Sequence, residues 1–425
     1  SCAGYAMTAL FDNRALIGLS ALAFGLTLLG LATLNGALII LAVPPVIFVG
    51  AALLDTPTNL QLRATRTLSA ERALPGVMID VHVAVTNHGL HPTPVLIADV
   101  LPAGLELTGG QPVCLTLLAP GATVTLAYTV RGMRGFYQFN GVQATVSDCL
   151  GLGRRTVAVA ALGKILIMPE VVRLTRLGIR PRRTRIFSGT IPARQGGAGV
   201  EFFGVREYQA GDPVRWINNR ATARFPGSLY VNEFEQERVA DIGIILDARR
   251  GSDVQGTNHT LFEYSVQAAA ALSDALISQG NRVGLLIYGH AIEWTFPGYG
   301  RIQREKVLRA LAQARTGDRA ALASLADIPT RLFPARSQIV LVSPLQPGDA
   351  PPILHMRAHG YEVLIVSPDP VAFEAKTLGP VADLAARIAR VERQALLQRL
   401  LLAGVRIVDW DVETPLAQAL AHFHR

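Results

Sequence analysis

Acidic, arginine and aromatic side chains are concentrated in one short stretch of an otherwise hydrophobic chain, GVEFFGVREYQAGDPVRWINNRATAR at residues 199–224. Carboxylates and guanidinium groups form charge-assisted hydrogen bonds, and the Gly-Asp-Pro turn at residues 211–213 can bring the two kinds of group together. Two interpretations stay open: internal charge pairs that pin the segment to a sheet edge, or an exposed docking surface for a partner. The candidate residues for either role are Glu201, Arg206, Glu207, Tyr208, Asp212, Arg215, Trp216 and Arg224.

Motifs of common enzymes are missing from the sequence. It contains no Gly-x-Ser-x-Gly elbow, no glycine-rich phosphate loop followed by lysine, and no His-Glu-x-x-His helix. His82, His88 and His91 lie near one turn, where histidines are usually solvated rather than bound to a metal. We therefore expect a protein that is not an enzyme, with no catalytic residue and no cofactor.

The cysteines say little about chemistry but something about the compartment. Cys2, Cys114 and Cys149 are too few and too scattered for a disulfide framework or a cysteine metal cluster, which favours a reducing compartment. A single bridge between Cys114 and Cys149 stays open.

The composition narrows the class of protein. At 425 residues the chain is long enough for two or three domains, and 50% hydrophobic against 17% charged residues argues against disorder and suggests that part of the chain lies in lipid. The net charge of +8 suits a membrane surface, an acidic partner or nucleic acid equally well.

Two uncharged segments near the start of the chain are each about as long as a helix that crosses a bilayer. They occupy residues 15–34 and 37–54 and are separated only by the tight turn Asn35-Gly36. The pattern predicts a transmembrane helical hairpin within residues 1–58, and the alternative is a buried helical pair in a soluble core.

Positively charged residues flank the open side of this hairpin, with Arg14 before it and Arg63 and Arg66 after it. Because positive flanks stay on the cytoplasmic side, we expect a protein of the cytoplasmic membrane whose large C-terminal part faces the cytoplasm. The biological start is either Ser1 or Met7.

A strand pattern follows the hairpin. In VMIDVHVAVTNHG every second residue is apolar up to the turn at residues 87–89, and TVTLAYTV at residues 123–130 repeats the alternation. Turn formers at regular spacing separate such runs, so we predict a small antiparallel, Ig-like sandwich over residues 59–168. The residues expected on the buried face of the first strand are Val77, Ile79, Val81, Val83 and Val85.

A basic run, RLTRLGIRPRRTR at residues 173–185, opens a linker and signature region that we place at residues 169–240. Its two main interpretations are a solvated connector and a contact with anionic lipid. Nucleic acid is not expected, because no aromatic residues alternate with the arginines to stack on bases.

The last region, residues 241–425, alternates between apolar strands and helical stretches, which predicts a doubly wound α/β domain with a parallel sheet. Gly280 and Gly404 are expected to cap two of the helices, and AIEWTFPG at residues 291–298 to form an edge strand. A ligand of such a sheet binds at the carboxyl ends of the strands. The predicted parallel strands are IGIILD, RVGLLIYG, QIVLVSPL, EVLIVSP and VRIVDW.

The signature stretch, followed by a strand that ends in Asp247, resembles a bacterial family, the MoxR-associated von Willebrand factor A-like proteins, catalogued as domain of unknown function fifty-eight. The resemblance covers roughly residues 173–370, and the hairpin and sandwich also resemble the family's arrangement. It implies a von Willebrand factor A-like fold for the α/β domain. The motifs that carry it are Glu201-Phe202, Arg206-Glu207-Tyr208, Gly211-Asp212-Pro213, Arg215-Trp216-Ile217 and Ala223-Arg224.

Domains of the von Willebrand A type often hold a divalent ion in an Asp-x-Ser-x-Ser loop, with a threonine and a later aspartate. This sequence departs from that pattern, because Arg249 and Gly251 replace the serines and the later aspartate is absent after the fourth strand, where Ser343-Pro344-Leu345 stands. We expect a degenerate site that binds no divalent ion. Arg249 either pairs with the Asp247 carboxylate or points to solvent.

Some oxygen ligands of that degenerate site remain in the sequence. Thr316 matches the expected threonine, and Ser252 or Asp253 can replace a missing serine only through a shifted loop.

The resemblance implies a membrane-anchored scaffold or adaptor that works with a MoxR-type AAA+ ATPase on an unknown client protein in envelope-related assembly or maturation. The alternatives are an outward-facing adhesion protein that uses the A-like domain and, as a weaker choice, a metal-assisted hydrolase. The expected partners are therefore the ATPase, the client and the lipid bilayer.

Overall fold

The computed structural model describes residues 10–12, 14–54, 61–90, 92–147, 154–174, 184–225, 227–256, 259–317, 324–329, 332–378 and 383–422. The chain forms two compact units, Ser1–Ile167 and Met168–Arg425. Ser1, Met7, His91 and Cys149, together with residues 175–183 of the basic run, lie outside the described residues. Cys114 carries a free thiol.

The first unit contains a helical hairpin, α1 (Arg14–Ala32) and α2 (Gly36–Leu54). The turn between the helices contains Leu34 at a positive φ of 52°. The Asn35 side chain accepts a hydrogen bond from the N–H of Ala37 at 3.1 Å and so caps the start of α2.

Judged on the described residues, none of the helices is both long enough and apolar enough to cross a membrane. The predicted transmembrane hairpin therefore stays a prediction.

A two-sheet sandwich makes up the rest of the first unit. One sheet has the order β1-β10-β9-β5-β7, with β3 beside β10, and the other has the order β2-β4-β8-β6. The strands are β1 (Leu10–Asp12), β2 (Leu62–Leu68), β3 (Arg72–Ala73), β4 (Ile79–Asn87), β5 (Thr93–Asp99), β6 (Leu105–Gly110), β7 (Val113–Leu118), β8 (Thr123–Gly132), β9 (Gly135–Ser147) and β10 (Arg154–Ile167).

The predicted alternation is present in β4, where the side chains from Ile79 to Val85 at every second position are fully buried. Val77 is the exception, because β4 begins two residues later and Val77 is 47% exposed. The run at residues 123–130 falls in β8, which pairs with β4 in antiparallel register.

A charged network lies inside the sandwich. The Arg66 guanidinium is fully buried, pairs with the Asp99 carboxylate and stacks 4.3 Å over the Phe139 ring. The Tyr128 hydroxyl donates to the same carboxylate, and burial followed by this hydrogen bond raises the pKa of Tyr128. The Arg66 side chain is therefore buried within the sandwich, whereas Arg63 is exposed.

The second unit contains an α/β sheet with the order β14-β13-β12-β15-β16-β17, in which β14 is the antiparallel edge strand and β11 pairs with β12. Its strands are β11 (Thr184–Glu207), β12 (Tyr230–Asp247), β13 (Arg282–Tyr288), β14 (Ile292–Gly298), β15 (Gln338–Val342), β16 (Glu362–Pro368) and β17 (Arg406–Trp410). Its helices are α3 (Asn219–Arg224), α4 (Leu261–Ser278), α5 (Gly300–Gln313), α6 (Ala350–Ala358), α7 (Pro370–Leu378), α8 (Asp383–Leu402) and α9 (Leu416–His422).

Apolar residues cover both faces of this sheet, as a doubly wound domain requires. Along β12, Ile244 and Leu246 belong to a core shared with α4 and α5, while Ile245 belongs to a second core shared with α6 and α8. Gly280 and Gly404 follow α4 and α8 at φ of 79° and 76°, a conformation that favours glycine, so both predicted caps are confirmed.

The central strand β12 is much longer than the predicted strand at residues 242–247. Its first half, from Tyr230 to Ala240, pairs with β11, and its second half, from Asp241, pairs with β13 and β15. The boundary predicted between residues 240 and 241 therefore falls inside one continuous strand. The signature region and the α/β sheet belong to the same unit.

Candidate functional site

The centre of the α/β sheet is the place where strand order reverses, because β12 is followed in sequence by β13 on one side and flanked by β15 on the other. Ligands of doubly wound sheets bind outside the carboxyl ends of the strands at such a point. Asp247 is the last residue of β12, and Ser343 directly follows β15. Both side chains are fully buried at this switch point.

A guanidinium fills the switch point. Arg249 donates from Nε to Asp247 Oδ1 at 2.9 Å and from Nη2 to Asp247 Oδ2 at 2.7 Å. The same guanidinium donates to Asp349 from Nη1 at 3.0 Å and from Nη2 at 2.8 Å. Arg249 therefore pairs with Asp247 and does not point to solvent.

Backbone and hydroxyl groups hold both carboxylates in place. The Ser343 hydroxyl donates to Asp247 Oδ2 at 2.7 Å, and the Gln346 N–H donates to Asp349 Oδ2 at 2.7 Å. Burial lowers the pKa of the Arg249 guanidinium, but its hydrogen bonds to Asp247 and Asp349 outweigh burial and raise that pKa above its ordinary value. Arg249 therefore stays charged.

Asp349 corrects the expectation that the later aspartate is absent. It lies six residues beyond Ser343, at the start of α6, and its carboxylate faces the guanidinium. An acidic residue before Ala350-Pro351 is a usual helix-start signal, yet this side chain makes no capping hydrogen bond to α6. From the sequence alone, pairing of Asp349 with Arg249 could not be distinguished from capping of α6.

A second arginine closes the neighbouring part of the same sheet edge. Arg393, on α8, donates to the Pro344 carbonyl at 2.7 Å, to the Ser367 hydroxyl at 3.0 Å and to Asp409 at 2.6 Å. These contacts tie α8 to the ends of β15, β16 and β17. Sequence analysis missed Arg393, because an arginine in an amphipathic helix gives no signal of its own.

The other residues expected at the degenerate metal site make different contacts. The Thr316 hydroxyl donates to Asp253 Oδ2 at 2.9 Å, whereas Asp253 Oδ1 and the buried Ser252 hydroxyl have no hydrogen-bond partner in the described part of the chain. The described residues also contain no group of three or more His, Cys, Asp or Glu side chains placed to hold a metal ion.

The signature stretch lies at the other end of β12. Seventeen steps of about 3.3 Å give an extended length of about 56 Å between Tyr230 and Asp247. The turn at Val214–Trp216 and helix α3 connect β11 to β12 at this end. The signature stretch and the switch point are therefore two separate surfaces.

One charge cluster is present within the stretch. Arg206 donates to both oxygens of Asp212, at 2.8 and 2.7 Å, and its Nε lies 3.5 Å from Glu233. The hydrogen bond from Arg206, followed by the N–H of Gln209, lowers the pKa of Asp212 below its ordinary value. The Arg206 side chain is 33% exposed and the Asp212 side chain 13%, so this pair lies at the surface in a half-buried position.

The other candidates in the stretch are not paired in this way. Arg215 lies 5.9 Å from the Trp216 ring, which in turn contacts Phe234 edge-on at 5.3 Å. Arg215 and Arg224 are exposed, and neither has an acidic partner among the side chains that the structure describes. Glu207 is exposed and Tyr208 half-buried, while the Glu201 side chain is not among those the structure describes.

Large apolar side chains are also exposed around these arginines. Phe202 pairs with Phe234 across β11 and β12, so both lie on one face of the hairpin. Aromatic residues and arginine together are the composition typical of binding hot spots. The exposed fractions are 63% for Phe202, 42% for Val205, 75% for Val214 and 59% for Phe225.

Comparison with known families matches residues 204–381 to the family described as Protein of unknown function DUF58. This agrees with the part of the sequence resemblance that names this domain. A comparison with curated proteins finds no match.

Solved structures similar to part of the chain include the CARDB domain of a Pyrococcus furiosus protein in complex with di-metal ions, at 13% identity, covering 26% of this chain and 90% of that one, with a TM-score of 0.18. The PKD domain of an M14-like peptidase from Thermoplasmatales archaeon SCGC AB-540-F20 has 12% identity, covers 26% and 98%, and has a TM-score of 0.16. At such TM-scores the likeness supports no functional argument.

Proposed function

We propose that this protein is a membrane-anchored interaction module, not an enzyme, and that it binds a partner protein through the signature stretch. The observation that supports this most is the use of the protein's own Arg249 to fill the switch point, where a doubly wound sheet would otherwise take a ligand. The signature stretch, by contrast, offers arginines and aromatic residues to solvent.

The resemblance of the signature motifs to the MoxR-associated von Willebrand factor A-like family makes a MoxR-type AAA+ ATPase the first partner to test. The strand order, with an antiparallel edge strand next to β13, is compatible with an A-like fold. In this proposal the ATPase acts with the module on a client protein during envelope-related assembly or maturation.

The helical hairpin is the proposed anchor in the cytoplasmic membrane. Residues 15–54 contain no charged side chain, and many of their large apolar side chains are exposed, including Ile40 at 72% and Phe24 at 69%. Exposed apolar surface of this extent favours contact with lipid. Arg14 and Arg63 support an orientation with both soluble parts in the cytoplasm.

Charge reversal in the signature stretch should abolish partner binding without unfolding the protein. We expect Arg215→Glu combined with Arg224→Glu to prevent co-purification of the MoxR-type ATPase from the same organism, because the introduced glutamates would repel the acidic groups that these arginines attract at the proposed interface. The measurement is a pull-down with purified ATPase and the full chain in detergent, accompanied by a melting curve.

The matched control is Arg301→Glu, which reverses an exposed arginine on α5, far in sequence from the signature stretch. It should leave binding and melting unchanged. If the double variant still binds the ATPase as the unchanged protein does, the signature stretch is not the docking surface.

The orientation of the anchor has its own test. A reporter enzyme fused after Arg425 should show activity in the cytoplasm. The reason is that, in this proposal, both ends of the hairpin lie on the cytoplasmic side of the membrane. Activity only outside the cytoplasmic membrane would contradict the orientation and, with it, the partnership with a cytoplasmic ATPase.

A further inference from the structure

The sandwich has one unprotected sheet edge. β7 is the last strand of its sheet, with β5 on one side and no further strand on the other side within the described residues. Its pairing with β5 is regular from Thr93 opposite Leu118 to Ala98 opposite Val113, without a bulge. An edge strand with such regular pairing has free backbone groups that can pair with another strand.

The outward face of this edge is aliphatic. Val113, Leu115 and Leu117 are 44%, 75% and 66% exposed, whereas Leu118 between the sheets is buried. Leu115 lies directly opposite Leu96 on β5, which is itself 38% exposed. The exposed leucines therefore form a continuous apolar strip that runs up to the edge.

Edge strands of the second sheet are protected in the usual ways. β6 carries the exposed Glu106, paired with Arg131 at 2.9 Å, and has an irregular register between Leu107 and Gly109. β2 carries the exposed Arg63. Charges and bulges of this kind discourage pairing between edges, and β7 has neither.

The absence of charge at the β7 edge favours one particular partner, a second copy of the same chain. The sequence contains no charged residue from Leu107 to Val130, so a second copy of this edge meets no like charge when it approaches. The pattern is symmetric about Leu115, with an aliphatic residue two positions away on either side. An antiparallel copy centred on Leu115 would place Val113 opposite Leu117 and every exposed aliphatic residue opposite another.

We propose that β7 pairs with β7 of a second copy of this chain around a two-fold axis at Leu115. The β7-containing sheets of the two copies then form one continuous sheet. Such an isologous contact uses the same patch on both subunits. Pro112, which lacks an N–H, precedes the strand and would lie opposite Leu118 of the other copy, which limits the pairing to residues 113–117. The patch is small, so the dimer is weak and depends on concentration.

Disulfide trapping tests the register of this pairing. In the full chain with its three cysteines changed to serine, Leu115→Cys should form a covalent dimer on oxidation in membranes, because directly opposite residues of antiparallel strands have Cα atoms about 4.5–5.5 Å apart. Leu117→Cys alone should trap poorly. A mixture of the Val113→Cys and Leu117→Cys chains should trap several-fold better than either chain alone.

Leu162→Cys is the matched control, since it is 66% exposed on β10 of the same sheet but not on the β7 edge. Leu115→Lys should abolish the dimer in sedimentation experiments while the melting temperature stays unchanged. Trapping of Leu115→Cys no stronger than that of Leu162→Cys would overturn the proposal, as would equal trapping of Leu117→Cys alone. Protection of Leu115→Cys from a water-soluble maleimide without trapping would assign the strip to lipid or to another protein instead.

Discussion

Arg249→Ala is expected to destabilise the second unit by about 3–5 kcal/mol, because it leaves the buried Asp247 and Asp349 carboxylates without their counter-charge. For a unit of this size, that loss lowers the melting temperature by about 10 °C. The measurement is thermal unfolding of the full chain at neutral pH. The exposed neighbour Arg250 provides the control, since Arg250→Ala should change the melting temperature little.

One further result would identify the cause of that loss. Magnesium or calcium should partly restore the melting temperature of Arg249→Ala, because Asp247, Asp349 and Ser343 offer the hard oxygen ligands that these ions prefer. An Arg249→Ala protein that melts like the unchanged one would contradict the assigned role of this arginine.

Arg66→Ala should have a comparable effect on the sandwich. It leaves the buried Asp99 carboxylate without its counter-charge between the two sheets. Such a loss lowers the free energy of unfolding by about 3–5 kcal/mol. In a domain of about 100 residues this corresponds to a fall of about 20 °C in the melting temperature. Calorimetry of the full chain should show the transition of the sandwich moving while that of the second unit stays in place.

Arg131→Ala is the matched control in the same domain. The Arg131 and Glu106 side chains are 52% and 67% exposed, and an exposed pair of this kind contributes little to stability. If Arg131→Ala and Arg66→Ala lower the melting temperature equally, burial does not determine the stability of these pairs.

Regular patterns made most of the elements predictable. The two-residue alternation of β4 and β8 and the apolar runs of β12, β13, β15, β16 and β17 arise from burial on one or both faces, which leaves a direct signal in the sequence. The length of β12 had no such signal. Its first half forms a two-stranded hairpin with β11 rather than part of a layered core, and its mixed composition resembles that of a loop.

The switch point was only partly predictable. Arg249 stands two residues after Asp247, so local spacing was enough to suggest their pairing. Asp349 and Arg393 reach the same sheet edge from 100 and 144 positions further along the chain than Arg249, through the packing of α6 and α8. Contacts of that sequence separation depend on the assembled fold and have no local motif. In the signature stretch, spacing identified the groups that could pair but not that Arg215 and Arg224 stay exposed.

A pull on the signature stretch would be transmitted to the middle of the α/β sheet, because its β11 residues from Phe202 to Glu207 pair with the start of β12, which then runs without interruption to Asp247. The hydrogen bonds from β12 to β13 and β15 lie across the direction of such a pull. These hydrogen bonds would therefore bear the force together, in shear. They would not break one after another, as they do when an edge strand is peeled from a sheet. The signature stretch is thus mechanically coupled to the sheet. A motor protein that binds and pulls this stretch would move the whole second unit before it could extract β12 from the sheet.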